Sequence, residues 1–95
     1  MIEYRLKLFI TGNTARSTQA VANLQRICET ILPGRVEVEI VDVLEDPQQA
    51  EGERILATPT LIKKAPMPMR RIIGDLSDTA RVLQGLDLVG MFPRK

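Results

Sequence analysis

The sequence of 95 residues contains no histidine and a single cysteine, Cys28. Without histidine there is no Ser-His-Asp triad, no Cys-His dyad and no imidazole ligand for a metal. One cysteine cannot form an internal disulfide, a CxxC redox pair or a thiolate zinc site. These absences point away from most enzymes, and we expect a non-catalytic protein that needs no cofactor.

Aromatic residues and excess charge are also scarce. Only Tyr4, Phe9 and Phe92 are aromatic, too few for a base-stacking platform. The 13 Lys and Arg residues against 12 Asp and Glu residues leave a net charge of +1, which creates no field that attracts nucleic acid. No apolar run approaches the ~18 residues that span a bilayer, and the N-terminus lacks a signal-peptide core. We expect one cytoplasmic domain over residues 1–95 that binds neither nucleic acid nor membrane.

The first half of the sequence has the pattern of a βαβ unit. Apolar residues recur at every second position, Tyr4, Leu6, Leu8 and Ile10, which predicts a strand. Thr14 or Ser17 can cap a helix that ends at the Pro-Gly pair of residues 33–34. β-Branched residues over 36–43 predict a second, largely buried strand, parallel to the first. The helix has one apolar stripe at three-and-four spacing: Ala20, Val21, Leu24, Ile27, Cys28, Ile31 and Leu32.

The second half predicts a helix, two strands and a last helix. Asp46 as N-cap followed by Pro47 begins a short helix over about 47–54. Short strands over 60–62 and 71–73 flank a proline-rich turn at 65–68. Residues 75–77 can cap a final helix that turns Ala80, Leu83 and Leu86 inward. The resulting order, βαβαββα, is that of the thioredoxin-like fold, in which Pro59 stands where that fold has a cis-proline.

The Thr-Gly-Asn-Thr segment of residues 11–14 lies between a strand and a helix N-terminus, a place suited to anions or to chemistry. Thioredoxins carry their CxxC pair here, and its absence rules out disulfide exchange at this position. The segment also looks like the phosphate loop of flavodoxins, so a small flavin- or phosphate-binding protein that uses Gly12 remains an alternative. A simple turn is favoured, because the aromatic rings and extra strands of a flavodoxin are missing.

Other reactive or charged residues have structural explanations. Cys28 lies on the apolar stripe and is expected to be a small buried hydrophobe. Asp46 is explained as a helix cap, and Glu51 and Glu53 as a solvated helix face rather than metal ligands. A basic group flanks the proline-rich turn and forms either solvated strand ends or a contact patch for an acidic protein surface. It comprises Lys63, Lys64, Arg70 and Arg71, with Arg54 close upstream.

Five segments of the sequence carry a family resemblance: KLFITGNT at 7–14, DVLEDPQ at 42–48, ILATPTL at 55–61, RRIIGDLS at 70–77 and VLQGLDL at 82–88. Together they resemble the KaiB family of bacterial circadian-clock proteins. The resemblance spans residues 4–88 with the segments in order. It implies a non-enzymatic regulator that binds a ring-shaped ATPase, KaiC, and modulates its phosphorylation cycle, with Arg54, Arg70 and Arg71 at the docking positions.

The resemblance also implies fold switching. In this family the first half stays βαβ, whereas the second half is either thioredoxin-like and monomeric or rearranged in a homo-oligomer, a dimer or tetramer. The thioredoxin-like form docks on KaiC and captures KaiA or a clock-output histidine kinase. We expect that form here because the capping signals fit it. Gly85 and Asp87, near the end of the last helix, are the fold-switch positions, where Gly85→Ala with Asp87→Arg should favour the thioredoxin-like form.

Two departures from the family pattern bear on which member this is. Gln19 stands where the family has a basic residue, and the basic MFPRK sequence at 91–95 stands where typical members continue into an acidic tail. The chain can therefore be the clock subunit or a divergent paralogue with another partner. The sensory domain of a SasA-type histidine kinase also resembles KaiB and is a further alternative.

Overall fold

In the part of the chain that the structure describes, four strands and three helices follow one another in the predicted order βαβαββα. The computed structural model describes residues 2–31 and 33–86; Asp87 and the 91–95 segment lie outside the described residues. The elements are β1 (Tyr4–Ile10), α1 (Ala15–Ile31), β2 (Val36–Asp42), α2 (Pro47–Gly52), β3 (Thr60–Ala65), β4 (Arg70–Ile73) and α3 (Thr79–Gly85).

The strands form one mixed sheet in the order β2-β1-β3-β4. Strand β1 lies at its centre and pairs in parallel with β2, so that Leu8 lies opposite Ile40, which confirms the βαβ unit. It pairs antiparallel with β3, where Leu8 lies opposite Leu61, and β3 pairs antiparallel with β4. The expectation that β2 is largely buried is wrong. It is an edge strand in the described sheet, and Val41 is its one buried residue.

Side-chain caps set where the helices begin. Thr14 caps α1, since its Oγ1 accepts a hydrogen bond from the Ser17 amide at 3.3 Å. Asp46 caps α2 as predicted and accepts from the Gln49 amide at 3.1 Å. The last helix is capped by Asp78 and not by residues 75–77. Asp75 instead accepts from the Ser77 amide at 3.1 Å, which closes the loop before α3.

Hydrophobic side chains cover both faces of the sheet. Helices α1 and α3 pack on one face against a cluster that includes Leu6, Leu8 and Leu61. Helix α2 and the loop after it cover Phe9, Val41 and Ile62 on the other face. The smaller second cluster matches the shortness of α2, so its position depends on polar contacts as well as on apolar burial.

The inward face of α3 differs from the prediction at one position. Leu83 and Leu86 are buried as expected, but Ala80 is exposed and Val82 takes its place. Because the helix begins at Thr79, after the Asp78 cap, its first turn points Ala80 to solvent. The spacing of the apolar residues alone did not distinguish a helix that buries Ala80 from one that buries Val82.

Gly85 lies at the end of α3, where the helix passes closest to β4. A Cβ atom there would lie 2.6 Å from Cδ1 and 3.2 Å from Cγ1 of Ile72. Contacts under 3 Å force a neighbouring atom to move. Glycine thus permits this close approach, a role that the sequence pattern, which showed only a weakened helix, did not reveal.

We expect Gly85→Ala to raise the stability of the protein only when Ile72 is shortened. In an Ile72→Val background the variant should gain up to ~1 kcal/mol of helix propensity, because the Cδ1 contact is gone. In the wild-type background the clash should cancel that gain or reverse it. Chemical denaturation of the four proteins in this double-mutant cycle measures the coupling, expected at about 0.5–1.5 kcal/mol. Additive effects would contradict the packing role of Gly85.

Candidate functional site

The end of the sheet where thioredoxins carry their thiols is lined by hydroxyl groups. The Thr11 and Thr58 side-chain oxygens lie 2.5 Å apart and join the loop after β1 to the loop before β3. The Thr11 amide donates to the buried Ser17 hydroxyl at 3.0 Å. The Thr58-Pro59 peptide bond is cis, as are the bonds preceding Pro66 and Pro68. No thiol is present here, so the chemistry of disulfide exchange has no nucleophile.

The Gly12 loop is occupied by a carboxylate of the protein itself. Gly12 has a φ of +49°, which favours glycine, and its amide donates to Oδ1 of Asp42 at 3.1 Å. The Leu44 amide donates to the same oxygen at 2.9 Å. A phosphate bound by this amide would meet the negative charge of Asp42. The geometry therefore favours the simple turn over a flavin- or phosphate-binding loop.

Cys28 is half-buried on the side of α1 that packs against the main hydrophobic cluster. Burial raises the pKa of its thiol to about 11, and the neighbouring Glu29 carboxylate adds to the rise. The thiol thus stays neutral at physiological pH and has little nucleophilic character.

The acidic residues after β2 do not form a metal centre. Within residues 2–31 and 33–86, no group of three or more His, Cys, Asp or Glu side chains could hold a metal ion. The interpretation of Glu53 as a solvated helix face is wrong, because its side chain is only 19% exposed. Sequence spacing put it on the outer face of a longer helix, but α2 ends before it, at Gly52.

Glu53 is instead the centre of an ion-pair group that joins α2 to the sheet. Its carboxylate accepts a hydrogen bond from Lys64 on β3 and lies 3.9 Å from Nζ of Lys7 on β1. Lys7 also donates to Oε1 of Gln49 at 2.5 Å and lies 3.7 Å from Glu39. The Lys64 hydrogen bond is the largest cause that holds the pKa of Glu53 below its usual value, followed by the nearby positive charges.

Two of the predicted docking residues lie together on the α2 face of the sheet. Arg71 donates from Nη2 to the carbonyl oxygen of Glu53 at 3.1 Å and from Nη1 to that of Arg54 at 3.5 Å. Arg54 is exposed and has a φ of +56°, a backbone turn that ends α2 earlier than predicted. Arg71 thus helps to close the C-terminal end of α2 with its guanidinium group.

The structure places the remaining basic residues in three different environments. Arg70 is exposed but, as the neighbour of Arg71 on β4, points to the opposite face of the sheet. Lys64 is paired with Glu53. Lys63 is 2% exposed and lies opposite Leu6, so it belongs neither to a solvated strand end nor to a contact patch. Alternation along β3 turns it toward α1 and α3, which the sequence did not indicate.

The arrangement is that of a thioredoxin-like domain without redox cysteines. Mitochondrial thioredoxin 3 of Saccharomyces cerevisiae is similar, with a TM-score of 0.72 at 17% identity over 92% of this chain and 79% of that one. The N-terminal domain of Synechococcus elongatus SasA has a TM-score of 0.73 at 23% identity, covering 100% of this chain and 91% of that domain. At these identities the likeness defines the fold.

Sequence comparison identifies the family. Residues 7–88 match the KaiB domain. "Circadian clock protein KaiB3" of Synechocystis sp. is 60% identical over 84 residues, which are 88% of this chain and 82% of that protein. "Circadian clock oscillator protein KaiB" of Synechococcus elongatus is 52% identical over 86 residues, covering 90% of this chain and 84% of the relative. The chain belongs to the KaiB family. In its described part, no helix is long and apolar enough to cross a membrane.

Replacing Glu53 by Gln tests whether the ion-pair group stabilises the fold. Since its pKa is lowered on folding, Glu53 contributes stability above the ordinary pKa of a glutamate, and this is lost as pH falls through the lowered value. We expect Glu53→Gln to lower the free energy of unfolding at pH 7 by roughly 1.5 kcal/mol, the lower range for hydrogen bonds to charged groups. The difference from wild type should shrink in acid. The control Glu51→Gln, on the exposed side of α2, should show neither effect.

The Cys28 thiol should react slowly with alkylating reagents. With a pKa of about 11, its thiolate fraction at pH 8 is on the order of a hundredfold below that of an ordinary cysteine. Iodoacetamide labelling, followed by mass spectrometry, should be slower than labelling of a model peptide by about that factor. Labelling at the peptide's rate would show that the thiol is neither buried nor neutral.

Proposed function

We propose that the protein is a non-enzymatic circadian clock regulator that binds a KaiC-type ATPase ring in the cytoplasm and modulates its phosphorylation cycle. The observation that carries this proposal is the match to the KaiB domain over residues 7–88, with relatives named as circadian clock proteins. The lack of thiols at the thioredoxin-type site supports a binding role over a redox role. KaiA and a clock-output histidine kinase are the further partners that we propose.

We propose the basic edge of the sheet as the docking surface. Arg54 and Arg71 lie on one face of this edge and Arg70 on the other, and all three are exposed. Arg70 is the simplest contact residue, because its side chain forms no hydrogen bond or ion pair within the described residues. Arginine side chains at these positions fit carboxylates on an acidic partner surface through bidentate contacts.

We also propose that the second half of the chain switches between the thioredoxin-like monomer and a homo-oligomer with another fold. The contact between Gly85 and Ile72 supports this, since a Cβ atom at residue 85 would lie 2.6 Å from Cδ1 of Ile72. Two packings of one sequence can differ by only a few kcal/mol, so one residue at such a contact can shift the populations. The Gly85→Ala variant in the Ile72→Val background should therefore favour the monomer with one set of amide resonances, as judged by NMR and sedimentation.

Reversal of charge at Arg70 tests the docking surface. We expect Arg70→Glu to weaken binding to a purified KaiC-type ATPase from the same organism by at least tenfold, and Arg70→Glu with Arg71→Glu by at least ~2 kcal/mol. The single variant is more informative, because Arg71 also holds the end of α2. Binding is measured by titration with a labelled protein.

Arg26→Glu serves as the matched control, since it makes the same charge change on the exposed side of α1. It should bind as wild type does. Equal binding by Arg70→Glu and Arg26→Glu would contradict the assigned surface, and failure of the wild-type protein to bind the ring would contradict the proposed function.

A further inference from the structure

Strand β4 is the free edge of the sheet on the basic side. It forms one end of the order β2-β1-β3-β4 and has no second strand partner among the described residues. An edge strand exposes a row of unpaired backbone N–H and C=O groups, which can pair with another strand. The backbone groups of β4 that face outward therefore determine what this edge can bind.

The pairing register of β3 and β4 shows which backbone groups of β4 face outward. The Gly74 amide donates to the Pro59 carbonyl at 3.0 Å, one position beyond the Thr60–Ile73 pair of the β3–β4 register, so these two residues are a hydrogen-bonded pair. In an antiparallel pair, hydrogen-bonded and non-hydrogen-bonded positions alternate. Ile72 and Arg70 therefore direct their backbone groups toward β3. Arg71 and Ile73 direct theirs to the free edge.

The same two residues present complementary side chains on one face. Arg71 and Ile73 both lie on the α2 face, because residues two apart in a strand share a face. Ile73 is 62% exposed, an unusual degree for an isoleucine in a strand, whereas the Arg71 guanidinium is fixed by two carbonyl oxygens. Arg54 adds an exposed cation beside it. A strand added at this edge would place one of its side chains beside the Arg71 guanidinium. The side chain two residues along the added strand would lie on the same face, beside Ile73.

We propose that this edge accepts an extended segment of a protein partner, added antiparallel to β4, with an aliphatic residue opposite Ile73 and an acidic residue opposite Arg71. The proposal rests on the docking role proposed above for the basic edge and specifies how the partner binds there. Main-chain hydrogen bonds would supply affinity and the two side chains specificity.

A second copy of the chain fits this edge less well. Two paired β4 strands would bring the guanidinium groups of Arg70 and Arg71 from both copies together without an acidic residue between them. The opposite edge, β2, carries Glu37 and Glu39, but Arg5 and Lys7 of the same sheet already pair with them. Charge complementarity therefore favours an acidic segment from another protein.

The probe is an acetylated and amidated peptide, Thr-Thr-Ile-Val-Asp-Thr-Thr, added to the full chain. At saturation we expect hydrogen exchange of the Arg71 and Ile73 amides to slow at least tenfold, while the amides of Arg70 and Ile72 change little. N-methylation of the Ile and Asp amides of the peptide should weaken binding at least tenfold. N-methylation of the Val amide and of the amide of the Thr that follows Asp, both of which would face away from β4, should leave the affinity within about twofold.

Equal binding of the two N-methylated peptides, or exchange that does not slow at Arg71 and Ile73, would overturn strand addition. Formation of oligomers through β4 in the absence of peptide would overturn it in favour of a second copy.

A variant separates this inference from the proposed function. Ile73→Pro removes an outward N–H that β3 does not use, so it should abolish peptide binding and weaken the complex with the ATPase ring at least tenfold; Ile73→Thr is the control. Unchanged binding of the ring by Ile73→Pro, together with loss of binding by Arg70→Glu, would overturn strand addition and leave the proposed function standing. If the wild-type protein does not bind the ring, the proposed function fails, and the peptide experiment still decides whether the edge accepts a strand.

Discussion

The Glu53 carboxylate joins α2 to the sheet that both halves of the chain build. It accepts a hydrogen bond from Lys64 on β3 and lies near Lys7 on the central strand, while Arg71 of β4 binds the backbone beside it. Helix α2 has six residues, too few for a helix to be stable by itself in water. Its position over the sheet therefore depends on these polar contacts and on the small apolar cluster beneath it.

The polar contacts at the C-terminal end of α2 also position the residues proposed for docking. Because Arg71 donates to the carbonyl oxygens at the end of α2, its guanidinium group lies beside the backbone of Arg54. Where thioredoxins carry their thiols, the Thr11 and Thr58 hydroxyls are hydrogen-bonded to each other, and the Asp42 carboxylate accepts from the Gly12 amide. The exposed arginine side chains proposed for docking lie on the basic edge. A protein with this fold can thus serve as a binding surface while it lacks the reaction of its structural neighbours.

Local patterns in the sequence were sufficient for much of the fold. Alternation in β1, the stripe of α1, the Asp46 cap and the prolines gave the order of elements, because these signals act over a few residues. The missing CxxC pair excluded disulfide exchange at the loop after β1, because that reaction needs a thiolate there. The boundaries that failed, the C-terminal end of α2 and the cap of α3, depend on competition between neighbouring turns that are nearly equal in local preference.

The sequence by itself thus determined the type and order of the elements, the resemblance to the KaiB family and the absence of a CxxC pair from the loop after β1. Only the tertiary structure decided that Glu53 is paired, that Lys63 is buried and that Arg70 and Arg71 face opposite sides of the sheet. It also decided that Gly85 lies against Ile72 of β4, where a Cβ atom would come within 2.6 Å of Cδ1. The physical reason is that these features join residues far apart in the chain. Strand register and helix packing set their distances, and neither is encoded in the local spacing of residue types.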